Sequence, residues 1–238
     1  MLSLLNVLYF IFFLVIAGYL KIGYNRMWPY DAHQYGPVII IGITGTKGSG
    51  KDTFAKYLIE HFGFIRLAFA DKLKEACQII FGFSDDQIHD PRAKEIVDSY
   101  WKHTPREILQ IVGTELFRDK LSESLSDIGQ DIWIRSVDRQ IKNMIANGKK
   151  RFVITDVRFP DELEYISRIN GYTVKIFRDN ANTKRIDAGY DVANKLSTHK
   201  SEIMIDKFEC DYLINNNKTI QELHYQAHNL YNLVNPRT

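Results

Sequence analysis

Two kinds of apolar pattern alternate along this chain of 238 residues. "VIIIGIT" (38–44) is an unbroken, β-branched run, as expected of a strand covered on both faces of a parallel sheet. Helical spacing follows over 51–61, with Phe54, Ala55, Leu58 and Ile59 on one face. "GFIRLAFA" (63–70) predicts a second strand and 71–81 a second helix. From 85 to 147 the spacing is helical throughout, as in Ile108, Leu109, Val112 and Leu116, then Ile134, Val137, Ile141 and Ile145. Strand patterns return in "RFVITD" (151–156), "YTVKIF" (172–177) and "DYLINN" (211–216), before a last helix from Ile220 to about Leu233. Strands alternating with helices predict an α/β chain, three layers around a parallel sheet. A long helical insertion in such a fold usually covers a site.

The first segment stands apart. "LLNVLYFIFFLVIAGYL" (4–20) carries no charge and lies at the short end of a bilayer span, which takes about 17–25 residues. Lys21 and Arg26 follow it and only the amino terminus precedes it, so the bulk of the chain is expected on the cytoplasmic side and a cleaved signal peptide is disfavoured. Three readings stay open: a membrane anchor, a short membrane-associated helix, or residues upstream of a true start at Met27. With Gly23, Pro29 and Gly36, residues 21–36 read as a linker. The organisation is therefore a hydrophobic segment and linker over 1–36 and one domain over 37–238, its helical insertion at about 81–147.

Composition narrows the class. Hydrophobic residues at 45% and charged residues at 25% suit a globular core. A net charge of +2 gives no reason to expect a nucleic-acid polymer as partner. Cys77 and Cys210, the two cysteines, form no disulfide framework and fit a reducing compartment such as the cytoplasm.

The strongest chemistry lies in "GITGTKGSGKDTF" (42–54). Strand, glycine-rich turn and helix occur in the order that wraps backbone N–H groups around phosphate oxygens. Gly48 and Gly50 let the chain approach, the helix N-terminus adds positive potential, and Lys51 can reach β- and γ-phosphates. Asp52 fills the place where a GTPase carries its magnesium-binding hydroxyl; Thr53 comes one residue later. That spacing resembles the nucleoside monophosphate kinases. Thr53 is expected at an α-phosphate and Asp52 at magnesium-bound water, so the metal is held by phosphates and water rather than directly by the protein.

"TDVRFPDE" ends a strand with Asp156, where phosphate-loop proteins place a carboxylate near magnesium, and Arg158 two residues on can clamp a phosphate. Asp161 and Glu162 open the next helix, where acidic residues favour the dipole. Lys74 lies on the helix after the second strand. In "REILQIVGTELFR", Arg106, Gln110, Thr114 and Arg118 form a polar stripe, readable as a solvated face or as an anion and base site. Trp133 stacks on a base or fills the core under the insertion.

Taken in order, "GTKGSGKDT", "ADKLKEA", "REILQIVGTEL", "DIW", "TDVRFPDE", "THKSE" and "CDYLINN" resemble the deoxynucleoside monophosphate kinases of phages and large DNA viruses. The resemblance spans about 170 residues and excludes the hydrophobic N-terminus and the region around 81–105. It implies the phosphate-loop kinase fold, with the insertion as acceptor site and lid, and transfer from ATP with Mg2+ to a deoxynucleoside monophosphate. It implies Gly48, Gly50, Lys51, Asp52 and Thr53 as ATP ligands. Lys74, Arg106, Gln110, Thr114, Trp133, Asp156, Arg158 and Glu162 are the implied acceptor site, with Lys51, Asp156 and Arg158 nearest the transfer. Arg118, Arg135 and Arg139 are lid candidates. His199 and Glu202 fall in a matching motif without a role. The rival readings are a phosphomevalonate or dephospho-coenzyme A kinase, and a nucleotide-binding scaffold without turnover.

Overall fold

A computed structural model describes residues 32–125, 128, 131–178, 205 and 207–235. The predicted tether at 4–20, and His199 and Glu202, lie outside these residues. Five strands, β1 (Ile39–Thr44), β2 (Ile65–Leu67), β3 (Arg151–Ile154), β4 (Tyr172–Phe177) and β5 (Tyr212–Asn215), form a parallel sheet in the order β2-β3-β1-β4-β5.

The helices are α1 (Lys51–Phe62), α2 (Asp71–Phe81), α3 (Asp85–His89), α4 (Pro105–Gln110), α5 (Leu121–Ser124), α6 (Ile132–Ala146), α7 (Pro160–Arg168) and α8 (Ile220–Val234). Alternation along β1 explains the three layers. Ile41 and Ile43 face Phe54 and Leu58 of α1 and Leu223, Ala227 and Leu230 of α8. On the opposite face Ile40 joins Ile134, Val137 and Ile141 of α6 and Tyr165 and Ile166 of α7. Gly42 lies on that crowded side, where a Cβ would sit 2.1 Å from Ile166 Cδ1. The sheet is thus apolar on both faces, as the unbroken runs predicted.

A satellite core of Cys77, Phe83, Ile88, Ile108 and Val112 holds the insertion together, and Leu73 and Phe117 join it to the main core. Thr104 caps α4 by accepting from Glu107 N while the Glu107 side chain accepts from Thr104 N, a reciprocal cap. Between α4 and α5 the helix widens into a π-helical stretch, Ile111–Lys120. Gly113 within it approaches α2 so closely that a Cβ would lie 2.4 Å from Leu73 Cδ2.

The packed core reaches into the segment read as a linker. Tyr35 is 1% exposed and packs in the main core. Its hydroxyl donates to Asp138 on α6, which also accepts from Tyr165 Oη at 3.3 Å and pairs with Lys142 at 3.1 Å. A tyrosine in a Gly- and Pro-rich stretch gave no periodic signal, so its tertiary partner was not visible in the sequence.

Candidate active site

The C-terminal ends of all five strands open onto one edge of the sheet, the edge at which parallel α/β folds hold ligands. β1 occupies the centre and runs into the phosphate loop. Gly45, Gly48 and Gly50 there have φ of 148°, 79° and 104°. These are values that side chains rarely adopt. At Gly45 a Cβ would meet Ile176 O at 2.2 Å, and at Gly50 it would meet Asn216 Nδ2 at 2.3 Å. The loop is therefore wedged between β4 and the segment after β5. Asn216 Nδ2 donates to Ser49 O at 2.8 Å, fixing one flank.

Two features fit this loop to a phosphate chain. Lys51 Nζ reaches back to Gly45 O at 2.7 Å and Thr46 O at 2.8 Å, crossing the mouth of the loop. The hydroxyls of Thr44 and Ser49 are buried and have no hydrogen-bond partner among the described residues. A buried hydroxyl left unpaired is costly, and an anion or its hydration shell would satisfy it. Beside the loop is a cavity of about 340 Å³ lined by Gly48, Gly50, Lys51, Asp52 and Thr53, with Arg178, Asn216 and Lys218 from the ends of β4 and β5. The sequence reading did not single out these last three. Their position after the final strands, on the ligand edge of a parallel sheet, was the available signal.

On the other side of β1, Asp156 follows β3. Its Oδ1 accepts from Phe69 N at 2.7 Å and its Oδ2 from Ala70 N at 3.0 Å. Both oxygens thus hold the turn that starts α2, and with it the helix that carries Lys74. The geometry gives Asp156 a positioning task in addition to the proximity to magnesium expected of it. Arg158 is exposed and Lys74 half-buried, and neither side chain has an ion pair or hydrogen bond among the described residues. Arg106 is half-buried and pairs through Nε with Glu95; Gln110 is exposed and Thr114 half-buried.

Glu162 is 2% exposed. Its Oε2 accepts from Arg158 N at 2.8 Å and Phe159 N at 3.1 Å, while Oε1 pairs with Arg118. Burial pushes its carboxyl up to about 8, although Arg118 pulls it down. Glu162 therefore shapes the backbone that presents Arg158. Arg118 is corrected from lid candidate to buried strut: it is 7% exposed, reaches Asp161 at 2.9 Å, and lies over the Phe159 ring at 4.0 Å. The π-helical winding explains the change, because wider turns rotate Arg118 out of the stripe that regular α-helical spacing gives it. Arg135 pairs with Asp131 at 2.8 Å, and Arg139 is exposed on α6. Trp133 is 8% exposed and its indole N–H donates to Gly113 O at 2.9 Å, so the structure sets it beneath the insertion as a packed support for the π-helical stretch.

Fold and loop together define a phosphate-loop kinase. The chain is 38% identical over 193 residues to a protein of Acanthamoeba polyphaga mimivirus provisionally described as a deoxynucleotide monophosphate kinase, a match covering 79% of this chain and 94% of that one. It is 25% identical over 192 residues to the deoxynucleoside-5'-monophosphate kinase of Escherichia phage T5, covering 56% of this chain and 73% of the relative. The chain belongs to the deoxynucleotide monophosphate kinase family. Among solved structures, a dephospho-CoA kinase from Campylobacter jejuni is similar at 15% identity and a TM-score of 0.48, over 80% of this chain and 94% of that one. No protein-family profile matches the chain. No helix among the described residues is long and apolar enough to cross a membrane.

Proposed function

We propose that the protein transfers the γ-phosphoryl group of ATP to the phosphate of a deoxynucleoside monophosphate, forming ADP and the deoxynucleoside diphosphate. One observation carries this reading. A phosphate loop on the central strand has cavity and polar side chains on its β4–β5 side and, on its β3–β2 side, Lys74 and Arg158, which have no carboxylate partner among the described residues. Two anionic substrates repel each other, and such an arrangement offsets that repulsion at both ends.

ATP, when bound, supplies the phosphoryl group, and Mg2+ on its phosphates lowers their charge. In this reading Lys51 leaves the carbonyls of Gly45 and Thr46 for phosphate oxygens, and the loop N–H groups and buried hydroxyls complete the cradle. Asp52, on the first turn of α1 and lining the cavity, orients metal-bound water. Thr53 contacts the α-phosphate. Lys74, Arg106 and Arg158 hold the acceptor phosphate, while Gln110 and Thr114 stand at its nucleoside. Asp156, Glu162 and Trp133 keep those elements in place. No general base is required, because the attacking phosphate oxygen is already ionised.

An ATP-coupled assay against deoxynucleoside monophosphates, phosphomevalonate and dephospho-coenzyme A tests the reading. Turnover of at least one deoxynucleotide, with none of the other two acceptors, is expected. ATP binding without turnover of any acceptor would instead favour a scaffold. We further propose that the domain works in the cytoplasm, with residues 4–20 as its membrane contact. Flotation of the full chain with liposomes, beside a chain starting at Met27, checks this; equal flotation of both would refute the contact.

A further inference from the structure

The turn Ala93–Glu95 lies within the region that the family resemblance leaves unmatched, yet it packs against α4 and the end of α3. Arg106 on the first turn of α4 grips Glu95, and Lys94 N donates to Asp90 O at 3.2 Å, so the turn is held from both sides. Lys94 between them is half-buried and has no ion pair or hydrogen bond from its side chain among the described residues. The charged groups acting on it are Lys74 from α2, Arg106 from α4 and Arg158 from the loop after β3, all repulsive, and Asp90 at the end of α3, attractive. Asp90 is itself occupied by the N–H groups of Arg92 and Ala93 at 2.7 and 2.8 Å. Lys94 thus feels cations from three other elements, while Oδ1 of Asp90 is engaged by the turn and Glu95 is paired with Arg106.

We propose that Lys94 is a further ligand of the acceptor phosphate, completing a cradle with Lys74, Arg106 and Arg158. The assignment rests on the kinase reading above and adds to it a residue that no spacing rule singled out. A dianionic phosphate is the ligand class that this convergence suits, because its charge offsets the repulsion that the cations exert on one another. Without the anion the cluster is strained electrostatically: partial burial and the three neighbouring cations push the Lys94 ammonium down to about 8. Its folded value lies below its unfolded value, so the charge costs stability at neutral pH, and the cost declines from about pH 8 and is gone only above 10.5.

Steady-state kinetics of Lys94→Met and Lys94→Arg test the proposal. Lys94→Met should raise KM for the deoxynucleotide at least tenfold, leave KM for ATP within twofold, and melt no lower than the parent at pH 7. In the parent, acceptor kcat/KM should fall above about pH 8. Lys94→Arg should retain acceptor binding and lose that alkaline fall. An unchanged acceptor KM in Lys94→Met, or an alkaline limb that persists in Lys94→Arg, would overturn the assignment. Should no deoxynucleotide be turned over, the kinase reading fails by itself. Calorimetric titration with inorganic phosphate then decides on Lys94, using a Lys51→Met background to remove the loop's own lysine. Adding Lys94→Met should weaken phosphate at least fivefold, and equal affinity rejects the cradle.

Discussion

Replacing Gly50 by alanine separates two consequences of the loop's geometry. Gly50 has φ of 104°, and left-handed backbone costs a residue with a Cβ about 1–2 kcal/mol. The new Cβ would also lie 2.3 Å from Asn216 Nδ2, forcing that side chain off its 2.8 Å bond to Ser49 O. Losing one such bond costs about 1 kcal/mol. Gly50→Ala should therefore destabilise the domain by about 2–3 kcal/mol, a large share of a typical total of about 5–15 kcal/mol. Gly48→Ala supplies the comparison. Its φ is 79°, but nothing lies within 4 Å of the added Cβ, so only the backbone contribution remains. Urea unfolding should rank the parent above Gly48→Ala and Gly48→Ala above Gly50→Ala. Combining Gly50→Ala with Asn216→Ala should give less than the sum of the single losses, because the clash partner is gone. KM for ATP should rise at least tenfold in Gly50→Ala while KM for the acceptor moves little. Equal stability of the two glycine variants, or additivity with Asn216→Ala, would refute the account of the wedge.

Four further outcomes follow from the contacts. Asp156→Ala removes the acceptor of two backbone N–H groups at the start of α2; a loss of about 2–4 kcal/mol on unfolding, with acceptor KM raised through Lys74, is expected from kinetics and denaturation. Above pH 8, where Glu162 is ionised, Arg118→Met leaves Glu162 and Asp161 without their buried cation and should destabilise by about 3–5 kcal/mol, with part of the loss recovered in Arg118→Met/Glu162→Gln. The Glu162 carboxyl has a folded value raised by burial to about 8 from 4.5, so its stabilising neutral form is full below pH 4.5 and lost through pH 8. Measured against Glu162→Gln, the parent should lose stability from pH 5 to 9; a gain would show that Arg118 dominates. Tyr35→Ala should cost about 3–5 kcal/mol in thermal unfolding, as for any large core aromatic, whereas a true linker residue would change nothing measurable.

The sheet was legible because both of its faces are covered: "VIIIGIT", "RFVITD" and "YTVKIF" read as strands without any tertiary information. The phosphate loop was legible because its demands are local, glycines at positive φ and a lysine at the helix start. What stayed hidden depends on contacts across the fold. Arg118 was misplaced because the π-helical stretch breaks the α-helical period on which its stripe was drawn. Tyr35 has no pattern around it and is ordered by Asp138, far along the chain. Asp156 gave its position at a strand end but not its engagement with Phe69 and Ala70. Lys94 is one lysine in a polar stretch, and only the folding of α2, α4 and the loop after β3 brings three cations around it.

The central claim is transfer between two nucleotides, and the fate of the labelled γ-phosphate of ATP tests it most directly. With purified protein, Mg2+ and a deoxynucleoside monophosphate, label should appear in the deoxynucleoside diphosphate in equal amount to the ADP formed. Lys51→Met should abolish that transfer. Label released as inorganic phosphate alone, or transfer near the parent rate in Lys51→Met, would contradict the account.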